Sequence, residues 1–348
     1  MSSGPDLFLL GSTHRTAPLE VRERLALSPE RVDAVYELLR AQTGLALPEC
    51  LVLNTCNRVE LYGVAGSTAE AAPLREKLLA HLGHFHLMDP GELQRVSFWK
   101  EREEVISHVF DVAAGLDSQM IGETEIFGQV KESYDEALRR GAAGPVLNRV
   151  FQKSFQAAKW ARTHTGIGRG AVSVGSVAVE LATRIFGDLA KSHLLLVGAG
   201  EVGQSALTAL RSRGARSVTI VSRTLAHAQE LAAPHEGVAV ELTRLPALLP
   251  TADIVLCALS SEKPILTHEQ LAAAAHSRAG IPLFVIDLAM PRNVAAGAGG
   301  LPNVFLYNLD DLAAIANENL EARQAAVALA RTTLADKAKH VWGSLHNR

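Results

Sequence analysis

The segment LVLNTCNRVELYG (51–63) sets Cys56 in a polar turn between two apolar runs, with Asn54, Thr55, Asn57 and Arg58 around it. An inert thiol normally sits inside an apolar run and packs as a small hydrophobe, as Cys50 and Cys257 are placed to do. A thiol in a polar turn beside a cation is set for attack: Arg58 should lower its pKa, and the turn should leave the sulfur accessible. The chemistry implied is covalent, a thiolate adding to an acyl carbonyl to give a thioester. A second polar cluster lies in HVFDVAAGLDSQMIGETEIFGQVKESYDEA (108–137), which carries His108, Asp117, Ser118, Glu123, Glu125 and Gln129. By residue type alone His108 reads as a histidine on an amphipathic helix, and the acidic residues read as caps and solvated charges.

The third pattern is HLLLVGAGEVGQSALTAL (193–210), an apolar run followed by Gly198, Ala199, Gly200, Glu201, Val202 and Gly203. GxGxxG is weak by itself, but here it follows a strand, opens a helix and leads to a second strand, SVTIVSR (217–223). The first glycine permits a tight turn, the second lets backbone amides approach a pyrophosphate, and the third lets the helix pack on the sheet. Where an NAD site would carry an acidic residue for the ribose hydroxyls, this chain has Ser222, Arg223 and Thr224. A guanidinium pairs with a 2′-phosphate and a hydroxyl adds a hydrogen bond, so the preference expected is NADPH.

The elements that must position these groups follow from periodicity. Strands at LFLLG (7–11), CLVLN (50–54), VELYGVA (59–65) and RVSFW (95–99) alternate with a helix opened by Ser28 and Pro29 and a second over about 70–87. That order is βαββαβ, a ferredoxin-like pattern. Residues 101–189 read as helical throughout, a connector. Strands at 193–197, 217–223, 252–259 and 283–289, with helices between them, form a doubly wound parallel sheet ending near Tyr307. From Asp310 onward the chain reads as one long, Ala-rich helix. The fold class expected is α/β: a ferredoxin-like catalytic and substrate-recognition domain with helices (1–165), a Rossmann domain for NADPH (166–308) and a C-terminal helix (309–348).

The hydrophobic share of 48% and charged share of 20% are those of a globular protein, and no apolar run is long enough to span a bilayer. The N-terminus has no basic start and apolar stretch of the secretory kind, which points to the cytoplasm. Three cysteines without paired spacing make no disulfide framework, and no metal site is expected. A formal charge of −3 excludes general coating of nucleic acid but allows a local basic surface. On the segment NRVFQKSFQAAKWART, Arg149 and Lys153 are neighbours while Lys159 and Arg162 point elsewhere. A solvated helix and an RNA footprint both fit that pattern.

Taken in order, THRTAPLEVRE, NTCNRVELY, GLDSQMIGETEIFGQVK, FQKSFQAAKWART, GRGAVSVGSVAVELA, VGAGEVG, ADIVLCALSSEKPI, FVIDLAMPRNV and VFLYNLDDL resemble glutamyl-tRNA reductase over nearly the whole chain. The resemblance implies that Cys56 is the nucleophile that takes the glutamyl group from tRNA(Glu). It implies that NADPH then reduces the thioester to glutamate-1-semialdehyde, the first step of tetrapyrrole synthesis. It carries substrate contacts to Thr55, Asn57, Arg58, Ser118, Glu123 and Gln129, with Thr124 and Glu125 in the places of the usual Pro and Gln. His108 becomes the activity-bearing histidine, in proton transfer or in orienting the ester, and Arg58 the partner of the substrate carboxylate. It also implies a homodimer built by a further C-terminal helical region, of which 309–348 reads as a short form, and docking with glutamate-1-semialdehyde aminomutase. Two other readings remain: a Cys-dependent semialdehyde dehydrogenase acting on an acyl phosphate, and an inactive regulator that binds NADPH or tRNA.

Overall fold

The computed structural model describes residues 6–41, 45, 47–66, 71–167, 173–198, 200–317 and 324–346. It divides into two compact units, Met1–Ala171 with Asn319–Arg348, and Val172–Glu318. In the first unit β1 (Asp6–Thr13), α1 (Leu19–Leu25), α2 (Pro29–Ala41), β2 (Glu49–Asn54), β3 (Arg58–Ala65), α3 (Ala71–Phe85), α4 (Pro90–Arg95) and β4 (Phe98–Glu101) follow one another. The strands pair antiparallel in the order β2-β3-β1-β4, the ferredoxin-like arrangement that the alternation predicts. As expected, Ser28 opens α2, its Oγ accepting from Arg31 N at 3.4 Å.

The last strand begins at Phe98 rather than at Arg95. Asp89 accepts from the amides of Gly91 and Glu92 at 3.0 and 3.1 Å, and Pro90 fits the first turn, so a short helix runs on through Arg95. Phe98 then lies opposite Gly11, where a Cβ would stand 2.7 Å from the Phe98 ring. The glycine is what lets the ring lie across the strand.

Three helices cover this sheet: α5 (Glu103–Ala114), α6 (Glu125–Arg139) and α7 (Pro145–His164). Their apolar faces close a core in which Tyr62, Phe110 and Phe151 are fully buried. The start of α7 depends on a residue far earlier in the chain. Gly144 offers no side-chain cap, and the buried Glu49 of β2 accepts from the amides of Val146 and Leu147 at 3.0 and 2.7 Å. A carboxylate there satisfies orphan donors at the positive end of the helix.

The second unit holds α8 (Val174–Phe186), β5 (His193–Val197), α9 (Glu201–Ser212), β6 (Ser217–Ser222), α10 (Leu225–Ala232), β7 (Val238–Glu241), α11 (Leu245–Leu248), β8 (Ile254–Cys257), α12 (His268–Ser277), β9 (Leu283–Asp287), β10 (Val304–Asn308) and α13 (Leu309–Asn317). Its six strands are parallel in the order β10-β9-β8-β5-β6-β7. The strand order reverses between β5 and β8, the place where doubly wound sheets open a ligand crevice.

The stretch read as one connector is shared, since α8 packs on α9 and α13 in the second unit. The tail read as one helix is described on either side of residues 318–323, and its two ends pack on different units. Leu309, Leu312, Ala313 and Ala316 are the buried face of α13 against α8, whereas the last helix, α14 (Gln324–His346), packs on α5 and α7. Ala330, Leu334, Ala338 and Val341 of α14 recur at helical spacing and enter the core of the first unit. Residues 318–323 lie outside the described residues. Among the described residues no helix is long and apolar enough to cross a membrane.

Candidate active site

Cys56 is half-buried in the turn from β2 to β3, and its polar neighbours build that turn. Thr55 N donates to Arg58 O at 2.8 Å, and Asn57 N donates to Thr55 Oγ1 at 3.2 Å. Asn57 O accepts from His14 N at 2.9 Å, and Asn57 Oδ1 accepts from Arg22 Nη1 at 2.9 Å. Asn54 clamps the loop before α2 by bonding both the amide and the carbonyl of Leu27. The turn is thus held from β1 and α1 as well as from its own strands.

Two expectations about its chemistry are corrected. Burial pushes the Cys56 thiol up to about 12, and the Glu123 carboxylate adds to the rise, against the opposing pull of Arg22 and Arg58. The thiol is therefore raised and not lowered, because burial and Glu123 outweigh the cations, and Arg58 is directed elsewhere. Its side chain is 1% exposed. Nη1 donates to Glu60 Oε1 at 2.8 Å, while Nη2 donates to Asp117 O at 2.6 Å and to Asp117 Oδ2 at 3.1 Å. With both terminal nitrogens taken, Arg58 does not offer a fork to a substrate carboxylate. It ties β3 to the loop after α5, and it fixes that loop beside the thiol.

Glu60 is the centre of this network. It is fully buried, accepts from Tyr62 Oη at 2.6 Å and faces His108 Nε2 at 2.8 Å. Burial alone would raise its carboxyl, but Arg58 and His108 outweigh it and hold the group at about 2. An ionised Glu60 can only accept, so Nε2 of His108 carries a hydrogen and points at the carboxylate.

The loop from Gly115 to Thr124 and the start of α6 bring the remaining residues near. Ser118 is buried, with its hydroxyl turned to the Glu123 carboxyl. Burial raises the Glu123 carboxyl to about 7, with Glu125 adding to the rise and the Ser118 hydroxyl, Arg58 and Arg162 opposing it. Thr124 is exposed, and its amide donates to Glu125 Oε2 at 3.2 Å. Gln129 lies one turn beyond Glu125 on the same helix face. His14 Nδ1, whose ring is pushed down to about 4 by burial and by Arg58, and Arg162 Nε are buried without a hydrogen-bond partner among the described residues. Arg162 Nη2 donates to Glu123 O at 2.8 Å. Orphaned polar atoms are rare inside proteins, and His14 Nδ1 and Arg162 Nε are open to a polar ligand.

Residue types and spacing did not single out Glu60, Tyr62, His14, Arg22 or Arg162 for this site. A signal existed for the first two. Arg58, Glu60 and Tyr62 alternate along β3 and so share one face. For His14, Arg22 and Arg162 the approach to Cys56 is tertiary and leaves no local mark.

The second unit carries the Gly-rich turn. Gly198 has φ +96°, and a Cβ there would stand 2.5 Å from the backbone of Leu259. At Gly200 a Cβ would stand 2.9 Å from Ala258 O, and at Gly203 2.5 Å from Ala258 Cβ. Three glycines are thus required for the turn to lie on the end of β8. Asn293 secures that end by bonding both the amide and the carbonyl of Leu259 at 2.9 Å. Gly200 caps α9 without a side chain, so the first amides of the helix face the crevice with Glu201 and Val202 in its opening turn. Ser222 closes β6 and is buried, while Arg223 and Thr224 beyond it are exposed. Ala199 lies outside the described residues. The turn, the bare helix start and the exposed cation at the end of the second strand of this sheet fit a dinucleotide with a phosphorylated ribose.

A ferredoxin-like unit with a half-buried cysteine turn, followed in one chain by a dinucleotide-fold unit, defines the class: an α/β oxidoreductase. Residues 10–165 match the family model described as glutamyl-tRNAGlu reductase, N-terminal domain, and residues 180–315 match shikimate / quinate 5-dehydrogenase. Over 317 residues the chain is 42% identical to a glutamyl-tRNA reductase of Syntrophus aciditrophicus, covering 91% of this chain and 74% of that one. It is 42% identical over 318 residues to that of Aquifex aeolicus, covering 91% and 76%. The solved glutamyl-tRNA reductase of Methanopyrus kandleri is similar with a TM-score of 0.53 and 34% identity, over 99% of this chain and 81% of that one. The chain belongs to the glutamyl-tRNA reductase family.

Proposed function

We propose that the chain reduces glutamyl-tRNA(Glu) to glutamate-1-semialdehyde with NADPH, the opening step of tetrapyrrole synthesis, through a thioester on Cys56. The observation that carries this reading is the cysteine turn itself, held by Thr55, Asn57 and Arg22, with Glu123, Arg22 and Arg58 acting on its thiol. In the first step the sulfur bonds to the glutamyl carbon, the ester C–O bond breaks, and the thiol proton passes to the leaving ribose oxygen. A thiol held near 12 needs help to lose that proton. His108, oriented by Glu60 through Nε2, is the proposed positioning and proton-handling group. Glu123, held near neutrality, and Ser118 are the proposed donors to the substrate, with Thr55, Asn57, Thr124, Glu125 and Gln129 lining the approach. Arg162 takes over from Arg58 as the proposed partner of the glutamyl carboxylate, because its Nε is still without a partner.

Gly198, Gly200, Gly203 and the first turn of α9, with Glu201 and Val202, would hold the pyrophosphate of NADPH, and Ser222, Arg223 and Thr224 its 2′-phosphate. When bound, that cofactor supplies the hydride that converts the thioester to an aldehyde and frees the thiol. A reducing, cytoplasmic compartment suits a chain whose three cysteines are all free. Transfer of the labile aldehyde to an aminomutase and the family's homodimeric assembly belong to the same proposal.

The test is to incubate the protein with glutamyl-tRNA without NADPH and to weigh it. A glutamyl adduct is expected on the wild type and none on Cys56→Ser, whose reductase turnover should fall on the order of 10⁴-fold or more. An adduct that persists in the serine variant would sink the mechanism.

A further inference from the structure

Near the end of α7, Trp160 and His164 stand one turn apart with their rings 5.0 Å apart and 11° from parallel. His164 is exposed, and its Nδ1 meets Trp160 O at 2.9 Å, which fixes the ring. From α14 the Lys337 ammonium stands 4.8 Å from the Trp160 ring centre. The stack is therefore built in advance, with a cation already on the aromatic system. Fastening α14 to the first unit does not require it, since Ala330, Leu334 and Ala338 already bury that face. Along α7 the side chains of Lys153 and Lys159 are exposed, and from Pro145 to His164 the helix carries no acidic residue. The nearest carboxylate along α14, Asp336, faces Lys339 at 3.8 Å.

An aromatic stack with a cation, flanked on the same helix by two exposed ammonium groups, is the chemistry that holds unpaired nucleotides, whose bases stack while their phosphates meet the charges. Its position matters as much as its composition. Arg162, on the same turn of α7, donates to Glu123 O, and Glu123 acts on Cys56. The stack thus lies on the helix end that borders the cysteine turn.

We propose that Trp160, His164 and Lys337 form a stacking platform for an unpaired nucleotide near the esterified 3′ end of an aminoacylated RNA, with Lys153 and Lys159 meeting its phosphates. The proposal rests on the reading of Cys56 as acceptor of a tRNA-borne glutamyl group. It assigns the docking of the RNA strand to side chains that take no part in the chemistry.

The experiment compares two substrates, glutamyl-tRNA(Glu) and the small ester glutamyl-adenosine, in the full chain with NADPH. For His164→Ala and Lys337→Ala the KM for glutamyl-tRNA should rise, by roughly 5- to 100-fold for loss of one base stack. Their kcat, and their rates with glutamyl-adenosine, should stay as in the wild type. Lys153→Ala with Lys159→Ala should flatten the salt dependence of tRNA binding. Equal losses on both esters would mean that the stack only holds α14 in place, and an unchanged KM for tRNA would mean that no nucleotide rests there. Either result overturns the platform. Failure of the underlying reading looks different, because the wild type would then make aldehyde from neither ester.

Discussion

The two turns that carry the chemistry are built by opposite means. The cysteine turn is made by side chains: Asn54, Thr55, Asn57 and Arg58 all bond to other parts of the first unit or to one another. The Gly-rich turn is made by their absence, since a Cβ at position 198, 200 or 203 would run into Ala258 or Leu259. The difference decides where each turn is vulnerable. The first fails when a distant partner is lost, and the second fails when an atom is added locally.

The largest effect on this comparison should come from Glu60→Gln. The substitution keeps the shape and the acceptor for Tyr62 but leaves the buried Arg58 with Asp117 as its remaining carboxylate. Breaking a buried ion pair costs about 3–5 kcal/mol, and the residual pairing puts this case near the lower end. Chemical denaturation should register the loss. The same group sets a pH window. Its folded pKa of about 2 lies below its ordinary 4.5, so its stabilisation is present above pH 4.5 and is lost as pH falls from there toward 2. In Glu60→Gln that stretch of the acid unfolding curve should flatten. An unchanged curve would remove Glu60 from the centre of the network.

Next in size is Gly198→Ala, the converse insult. The added methyl meets the Leu259 backbone at 2.5 Å at a φ of +96°, so the turn must shift. A displacement of about 1 Å near reacting groups costs roughly 10²-fold in rate. NADPH affinity and reductase turnover should drop together, while formation of the glutamyl adduct on Cys56 continues. Loss of the adduct as well would show that the two turns are not separable.

The contrast also explains what could be read from sequence. A turn defined by missing side chains announces itself locally, and Gly198, Gly200 and Gly203 followed by an exposed Arg223 were legible together with the strand order round them. The cysteine turn was legible as a place but not as an environment. Burial and Glu123, far along the chain, set the Cys56 thiol, and Glu60 and Asp117 decide what Arg58 does. The alternation of Arg58, Glu60 and Tyr62 on one strand face held part of that answer, because charged residues on a buried face must find each other. Nothing local indicates that Glu49 caps α7, or that α14 enters the core of the first unit. Those facts belong to packing between segments far apart in sequence.

A smaller effect tests the exposed end of the Gly-rich crevice. Arg223→Ser removes the cation expected to meet a 2′-phosphate, and Arg223 is exposed with no burial to strengthen its charge. The KM for NADPH should rise by about 10-fold, the value of one charge-assisted contact, and the KM for NADH should stay the same. Equal losses for both cofactors would assign Arg223 to folding of the crevice and not to choosing the cofactor.

The smallest expected effect returns to the thiol. Glu123 adds to the rise of Cys56, yet its own carboxyl is held near 7, so the two groups share one region of charge. Below pH 7 Glu123 is mostly neutral and burial alone opposes the thiolate. Above pH 7 its charge develops and opposes the thiolate further, so alkylation of Cys56 by iodoacetamide should climb less than tenfold per pH unit through that interval. In Glu123→Gln the carboxylate is gone at every pH. The climb should then approach tenfold per unit, and alkylation at pH 8 should be several-fold faster than in the wild type, while the rates at pH 6 stay close. An identical profile in the variant would mean that burial alone sets the thiol, and the charge of a residue far along the chain would drop out of the comparison.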